Sequence, residues 1–332
     1  MKSMFAKGLW RLLWIMGAVV CVYLPTPGLS AAQQPAAKVY PHATTVPPAV
    51  GPQTFDTPQQ AARALVEAAV NFDVAALVRI FGTDGADIVL TGEPPVDRQR
   101  AADFAAEANE KRTVSVDPAD KNRAFLIVGH ENWPFPVPIV KSGGRWSFDV
   151  PAGRLELLYR RIGANELDAI TICRGYVEAQ YQYAYQKREG YQVHQYAQRL
   201  ISTHGTQDGL AWQNPDGTWG GPVGENVARA IAQGYTGRAE APFHGYYYKI
   251  LKGQGPAAPL GAMNFVVKNV MIGGFGLAAA PAEYEETGVK TFIVSYEGIV
   301  YQKDLGPRTL DIFKNMQLYN PDTTWQRTDD TW

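Results

Sequence analysis

From Thr57 onward the apolar residues fall at helical spacing. Ala61, Leu65, Ala68, Ala69 and Phe72 share one face, which predicts a helix from Pro58 to about Asn71. Thr57 stands before it as an N-cap, Pro58 takes the first helical position, and Gln60 follows as in a capping box. Asp73 to Phe81 reads as a second short helix ended by Gly82, and Arg98 to Asn109 as a third. The period then drops to two. Ala124–Gly129, Val137–Val140 and Arg145–Val150 read as strands, with Ser142-Gly143-Gly144 turning a hairpin. Helices followed by a short antiparallel sheet predict a small α+β module over residues 54–152.

The next segment is helical for longer. Leu155, Leu158, Ile162, Ala169, Ile170, Cys173, Val177, Tyr181 and Ala184 form one apolar stripe, which predicts a helix from Gly153 to about Arg188, stopped by Gly190. A short helix around Val193–Ser202, a turn-rich stretch Gly205–Gly221 and a helix from Gly224 to Ala232 are expected after it. Alternating strands broken by glycine and proline turns then fill Pro242–Pro307. Long helix and closing sheet make a second module over 153–326, with 327–332 as a tail.

The other end has a different pattern. Lys2, Lys7 and Arg11 precede an apolar run from Leu12 to Leu24, and Ser30-Ala31-Ala32 supplies small residues for cleavage, so 1–32 reads as a secretory signal peptide. The run is shorter than the ~18–20 residues that span a bilayer, which makes an uncleaved anchor the lesser reading. Residues 33–53, rich in Pro, Ala and Thr, read as a disordered linker. The expectation is an exported chain, periplasmic or secreted, with no membrane span after cleavage.

Cys21 leaves with the signal peptide, so Cys173 is the lone mature thiol and internal disulfides are excluded. Stability must come from burial, for which 46% hydrophobic residues suffice. The formal charge of −1 becomes −4 on loss of the three cations of the signal peptide. Neither that balance nor the isolated pairs Lys111-Arg112 and Arg160-Arg161 make a nucleic-acid footprint.

A series of short words runs along the chain: RRIGANELDAI at Arg160–Ile170, YVEAQYQYA at Tyr176–Ala184, YAQRLIST at Tyr196–Thr203 and DGLAW at Asp208–Trp212. HGYYYKILKGQGPAAP at His244–Pro259, MIGGF at Met271–Phe275 and TFIVSYEGIVYQKDLG at Thr291–Gly306 complete it. In content and order this series resembles a bacterial exported family, the domain of unknown function DUF2950. The resemblance implies export and no known activity. The N-terminal pattern is similar to a cut-down NTF2-type cone. The long helix, its terminal glycine and the antiparallel sheet are similar to pilin-like α+β modules, without a pilin's cleavage site or apolar stem.

Several motifs invite chemistry and fail a requirement. His130-Glu131 opens like a metalloprotease pattern, but Pro134 stands where the second histidine is needed. Gly274-Phe275-Gly276-x-x-Ala279 mimics a dinucleotide fingerprint, but Pro281 leaves no room for the phosphate-binding helix. Asn214-Pro215-Asp216-Gly217 has too few oxygen ligands for calcium and reads as a turn. Ser202, Thr203 and His204 are contiguous and so diverge, and no nucleophile elbow is present. Cys173 reads as a small core hydrophobe.

Arg161, Asn165 and Glu166 form the strongest polar constellation. Arg161 is expected to pair with a carboxylate of the other module, as a hinge lock or, alternatively, beside an acidic ligand in a junction pocket lined by Trp133 and Trp146. Surplus tyrosines, with Tyr183, Tyr185 and Tyr247 as candidates, supply contact surface or a second packing layer. These readings predict a non-enzymatic envelope scaffold or interaction protein, without cofactors, whose partner is an unknown envelope protein or a glycan. A small-ligand or glycan-binding protein with its pocket at the module junction is the alternative. A hydrolase using Asp208, Glu283 or Asp304 is third, and it requires two carboxylates about 5–10 Å apart in a cleft.

Overall fold

The computed structural model describes residues 51–187, 190, 192–224 and 242–328. The expected signal peptide, most of the linker, the helix beyond Gly224 and the last four residues lie outside these. The protein is α+β and divides into two compact units, Leu157 closing the first and Leu158 opening the second.

In the first unit, helices α1 (Pro58–Val70), α2 (Val74–Phe81) and α3 (Pro94–Glu110) accompany strands β1 (Arg112–Val116), β2 (Arg123–Val128), β3 (Trp133–Pro134), β4 (Ile139–Ser142) and β5 (Arg145–Phe148). The sheet is antiparallel in the order β1-β2-β4-β5, with β3 also on β2. Thr57 Oγ1 accepts from Gln60 N at 3.2 Å, and Gln60 Oε1 accepts from Asp56 N at 3.1 Å, so the expected cap forms with its return bond displaced by one residue. Leu65, Phe81, Phe104, Leu126, Ile139 and Phe148 fill the core, where Phe81 and Phe148 lie 5.0 Å apart between ring centres.

Two differences from the sequence reading have local causes. Helix α3 starts at Pro94, ahead of Arg98, because prolines are tolerated in a first turn whose N–H groups have no intrahelical partner. The buried Asp97 side chain accepts from Thr91 N at 2.8 Å and so holds the entry. Strand β1 was not expected: Arg-Thr-Val-Ser-Val is largely exposed and its apolar alternation is only two valines long, Val114 and Val116.

Helix α4 (Val150–Ala184) carries residues of both units. It begins before the expected Gly153 because Asp149 caps it, accepting from Ala152 N at 3.1 Å. In the second unit β6 (Arg199–Ile201), β7 (Gly209–Gln213) and β8 (Trp219–Gly220) form one small sheet. Then come β9 (Tyr246–Leu251), the two-residue strands β10 (Gly253–Gln254), β11 (Met263–Asn264), β12 (Val266–Val267) and β13 (Val270–Met271), and β14 (Gly276–Pro281). Strands β15 (Lys290–Ser295) and β16 (Val300–Asp304), helix α5 (Thr309–Asn315) and β17 (Gln326–Arg327) complete the unit. The main sheet is antiparallel in the order β17-β16-β15-β14-β9, so Arg327, expected in the tail, belongs to an edge strand. One face packs on Ala169, Ile170, Cys173, Tyr176, Val177 and Tyr183 of α4, the other on Phe313 and Tyr319. Small residues of β14, Ala278 to Ala280, are fully buried between these layers.

The helix expected at Val193–Ser202 is extended chain instead. The buried Gln180 amide takes both backbone groups of Ala197: Nε2 donates to its carbonyl at 2.9 Å and Oε1 accepts from its N–H at 2.8 Å. Tyr196 N bonds to Met271 O at 2.8 Å, and β6 pairs with β7. Tertiary bonds outbid a weak local helical preference.

Candidate functional site

Strands β6 and β7 run parallel, joined only by Ser202 to Asp208, a connection too short for the usual helical crossover. The loop is held shut by one carboxylate. Asp208 accepts from Thr203 N at 2.7 Å, Thr203 Oγ1 at 2.9 Å and Thr206 Oγ1 at 3.0 Å, and pairs with Arg199 Nε at 3.2 Å. Partial burial pulls the Asp208 pKa upward, but the bonds from Thr203 and Thr206 and the Arg199 charge outweigh it and hold the carboxyl below 3.8. Gly209 permits the close return: a Cβ there would stand 2.7 Å from Ser202 N.

Beside this loop a cleft of about 980 Å³ opens, lined by His204, Gln207, Asp208, Trp212, Gln213 and Asn214. The half-buried Trp212 ring is backed by β8, whose Gly220 passes so close that a Cβ would lie 2.6 Å from Nε1. Asn214-Pro215-Asp216-Gly217 forms the β7–β8 turn: Gly217 N donates to Asn214 O at 2.9 Å, and Asp216 accepts from Thr218 Oγ1 at 2.6 Å. Asp208 also lines a second depression of about 340 Å³, together with Gln195, Gln198, Arg199 and Lys252. The two depressions therefore meet at a single side chain.

The family model described as "Protein of unknown function (DUF2950)" matches residues 52–328. The chain belongs to the DUF2950 family. Among curated proteins and among solved structures, none matches it. The NTF2-type and pilin-like likenesses thus rest on patterning alone. The match spans both compact units, and both depressions lie within its DUF2950 region.

The residues singled out in this DUF2950 sequence fare differently. Arg161 finds its carboxylate inside its own unit, not in the other module: Nη2 meets Glu286 Oε2 at 3.3 Å. Asn165 Nδ2 donates to Thr287 O at 2.8 Å, and Glu166 Oε1 accepts from Val289 N and Lys290 N, both at 2.9 Å. The constellation is thus a clamp on the β14–β15 turn, whose backbone folds back on α4. Trp146 is buried in the first unit's core, and Trp133 packs against that core. Tyr183 is not contact surface: it is 1% exposed and its hydroxyl donates to Gln207 O at 2.5 Å. Tyr247 is half-buried against the core beside α5, whereas Tyr185 is 83% exposed.

The remaining motifs settle into structure. Gly276 opens strand β14 rather than a helix, and Gly274 leaves room for the Phe265 and Tyr296 rings. His130 and Glu131 lie in the turn between β2 and β3. Of the three scattered carboxylates Asp208 lines the cleft, Asp304 accepts from Gly306 N at 2.8 Å and Glu283 lies in the β14–β15 turn. A pairing that sequence reasoning missed is Asp168 with His244, Oδ2 to Nδ1 at 2.6 Å, which ties α4 to the start of β9. Trp212, Arg199, Gln195 and Lys252 were also missed as site residues. The family words contained Arg199, Trp212 and Lys252 without assigning them chemistry.

Proposed function

We propose that this DUF2950 member is an exported, non-enzymatic binding protein of the cell envelope, whose second unit holds a saccharide in the cleft at Trp212. The observation that carries the reading is an indole backed by β8 in a concavity lined as well by the amides of Gln207, Gln213 and Asn214 and the imidazole of His204. Sugar rings offer an apolar C–H face to an aromatic ring and hydroxyls to such polar groups. Asp208 is the carboxylate lining the cleft, and it is committed to Thr203, Thr206 and Arg199, which supports binding without hydrolysis. Export is supported by the pattern of Lys2, Lys7 and Arg11 before Leu12–Leu24.

Calorimetric titration of the mature chain with chitohexaose, cellohexaose and hexagalacturonate tests this. Binding of at least one that is lost in Trp212→Ala is expected, and no binding of any would overturn it. A protein-contact scaffold is the second reading, favoured by Tyr185, 83% exposed at the end of α4. It expects an envelope protein captured by the mature chain and lost with Tyr185→Ala. Recovery of no such protein would count against it.

A further inference from the structure

The smaller depression differs in chemistry from the cleft it adjoins. Its wall holds the Gln195 amide, only 6% exposed, which makes no hydrogen bond among the described residues. An amide that lines a depression without a protein partner keeps its N–H donors and carbonyl acceptor open to a group entering from outside. The exposed Lys252 ammonium faces the same space and has no ion pair among the described residues. Arg199 uses Nε for Asp208, which offsets one charge against the other and leaves its terminal N–H groups as donors. Gln198 gives its amide N–H to Asn269 O at 2.7 Å. The surplus is therefore donors and one positive charge.

We infer that the saccharide held at Trp212 carries a carboxylate, which enters the smaller depression and is bound by Lys252, Gln195 and the free N–H groups of Arg199. The inference rests on the saccharide reading above and narrows it to acidic sugars. Asp208 marks the division: ring stacking and hydroxyl contacts lie on the Trp212 side, the charge contact on the Lys252 side. Both halves are needed for one ligand because a lone exposed ion pair contributes little.

The test compares hexagalacturonate with its methyl ester, which keeps the rings and removes the charge. The mature protein is expected to bind the acid about fivefold tighter or more. Lys252→Met is expected to abolish that difference, whereas Trp212→Ala weakens both ligands. Gln195→Leu is expected to weaken acid binding without lowering the melting temperature, because no native hydrogen bond is lost. Equal binding of acid and ester would overturn the acidic-sugar inference and leave the saccharide reading standing. Binding of neither, in a protein that does bind chitohexaose, would also overturn it. Binding of none of the three overturns both readings.

Discussion

Cys173 and Gln180 show how one position in α4 is decided by what surrounds it. Cys173 is fully buried, and desolvation pushes its thiol up to about 12 despite the opposing charge of Arg174. The thiolate is the reactive species. At about pH 8 the folded protein is therefore expected to resist iodoacetamide, and to be alkylated once guanidinium unfolds it; mass spectrometry reads the difference. Rapid labelling of the native protein would show that α4 does not close over this site. Gln180 acts through geometry instead. Replacing it by Leu leaves the Ala197 N–H and C=O buried without partners, which costs about 3 kcal/mol. A lower denaturant midpoint at unchanged slope is the expected readout.

Elements formed where local pattern and tertiary context agreed. Helices α1 and α2, and strands β2, β4 and β5, lie close to where capping residues and apolar period put them. Strand β1 escaped notice because only Val114 of its five residues is drawn toward the core, and the Val193–Ser202 segment was misread because its partner is the Gln180 side chain. The clamp on the β14–β15 turn was half legible: helical spacing grouped Arg161, Asn165 and Glu166, but their partners lie 122 to 125 residues further on. The candidate site was harder still, since Gln195, Trp212 and Lys252 come from three separate segments. Glu166→Ala removes the acceptor of two backbone N–H groups and is expected to cost about 1–3 kcal/mol. Glu166→Gln keeps a carbonyl oxygen and should cost less. Hydrogen exchange localises the effect: Val289 and Lys290 amides should exchange faster in the Ala variant, while α1 amides in the first unit do not change.

On the scale of the whole molecule, carboxylates that pin loops give both units a common response to acid. In the first unit a hydrogen bond and the charge of Arg154 hold the Asp87 pKa below 3.8, against the opposing pull of burial. In the second, Asp208 is held low in spite of burial, and bonds from Thr218 and Thr324 lower Asp216 and Asp322. A carboxyl whose folded pKa lies below its unfolded value binds fewer protons folded than unfolded between the two values. Stability from these groups is therefore present above about pH 4 and is lost as pH falls through their folded values. For Asp208, whose ion-pair partner Arg199 is largely exposed, the contribution is about 1 kcal/mol or less. Urea midpoints measured from about pH 5 down to about pH 2 are expected to fall, and Asp208→Asn is expected to flatten that fall. Loss of the Asp208 charge also frees Arg199 for an acidic sugar, so the same variant is expected to bind hexagalacturonate at least as tightly as wild type near neutral pH. An unchanged acid response together with weakened uronate binding would mean that Asp208 serves the ligand rather than the loop.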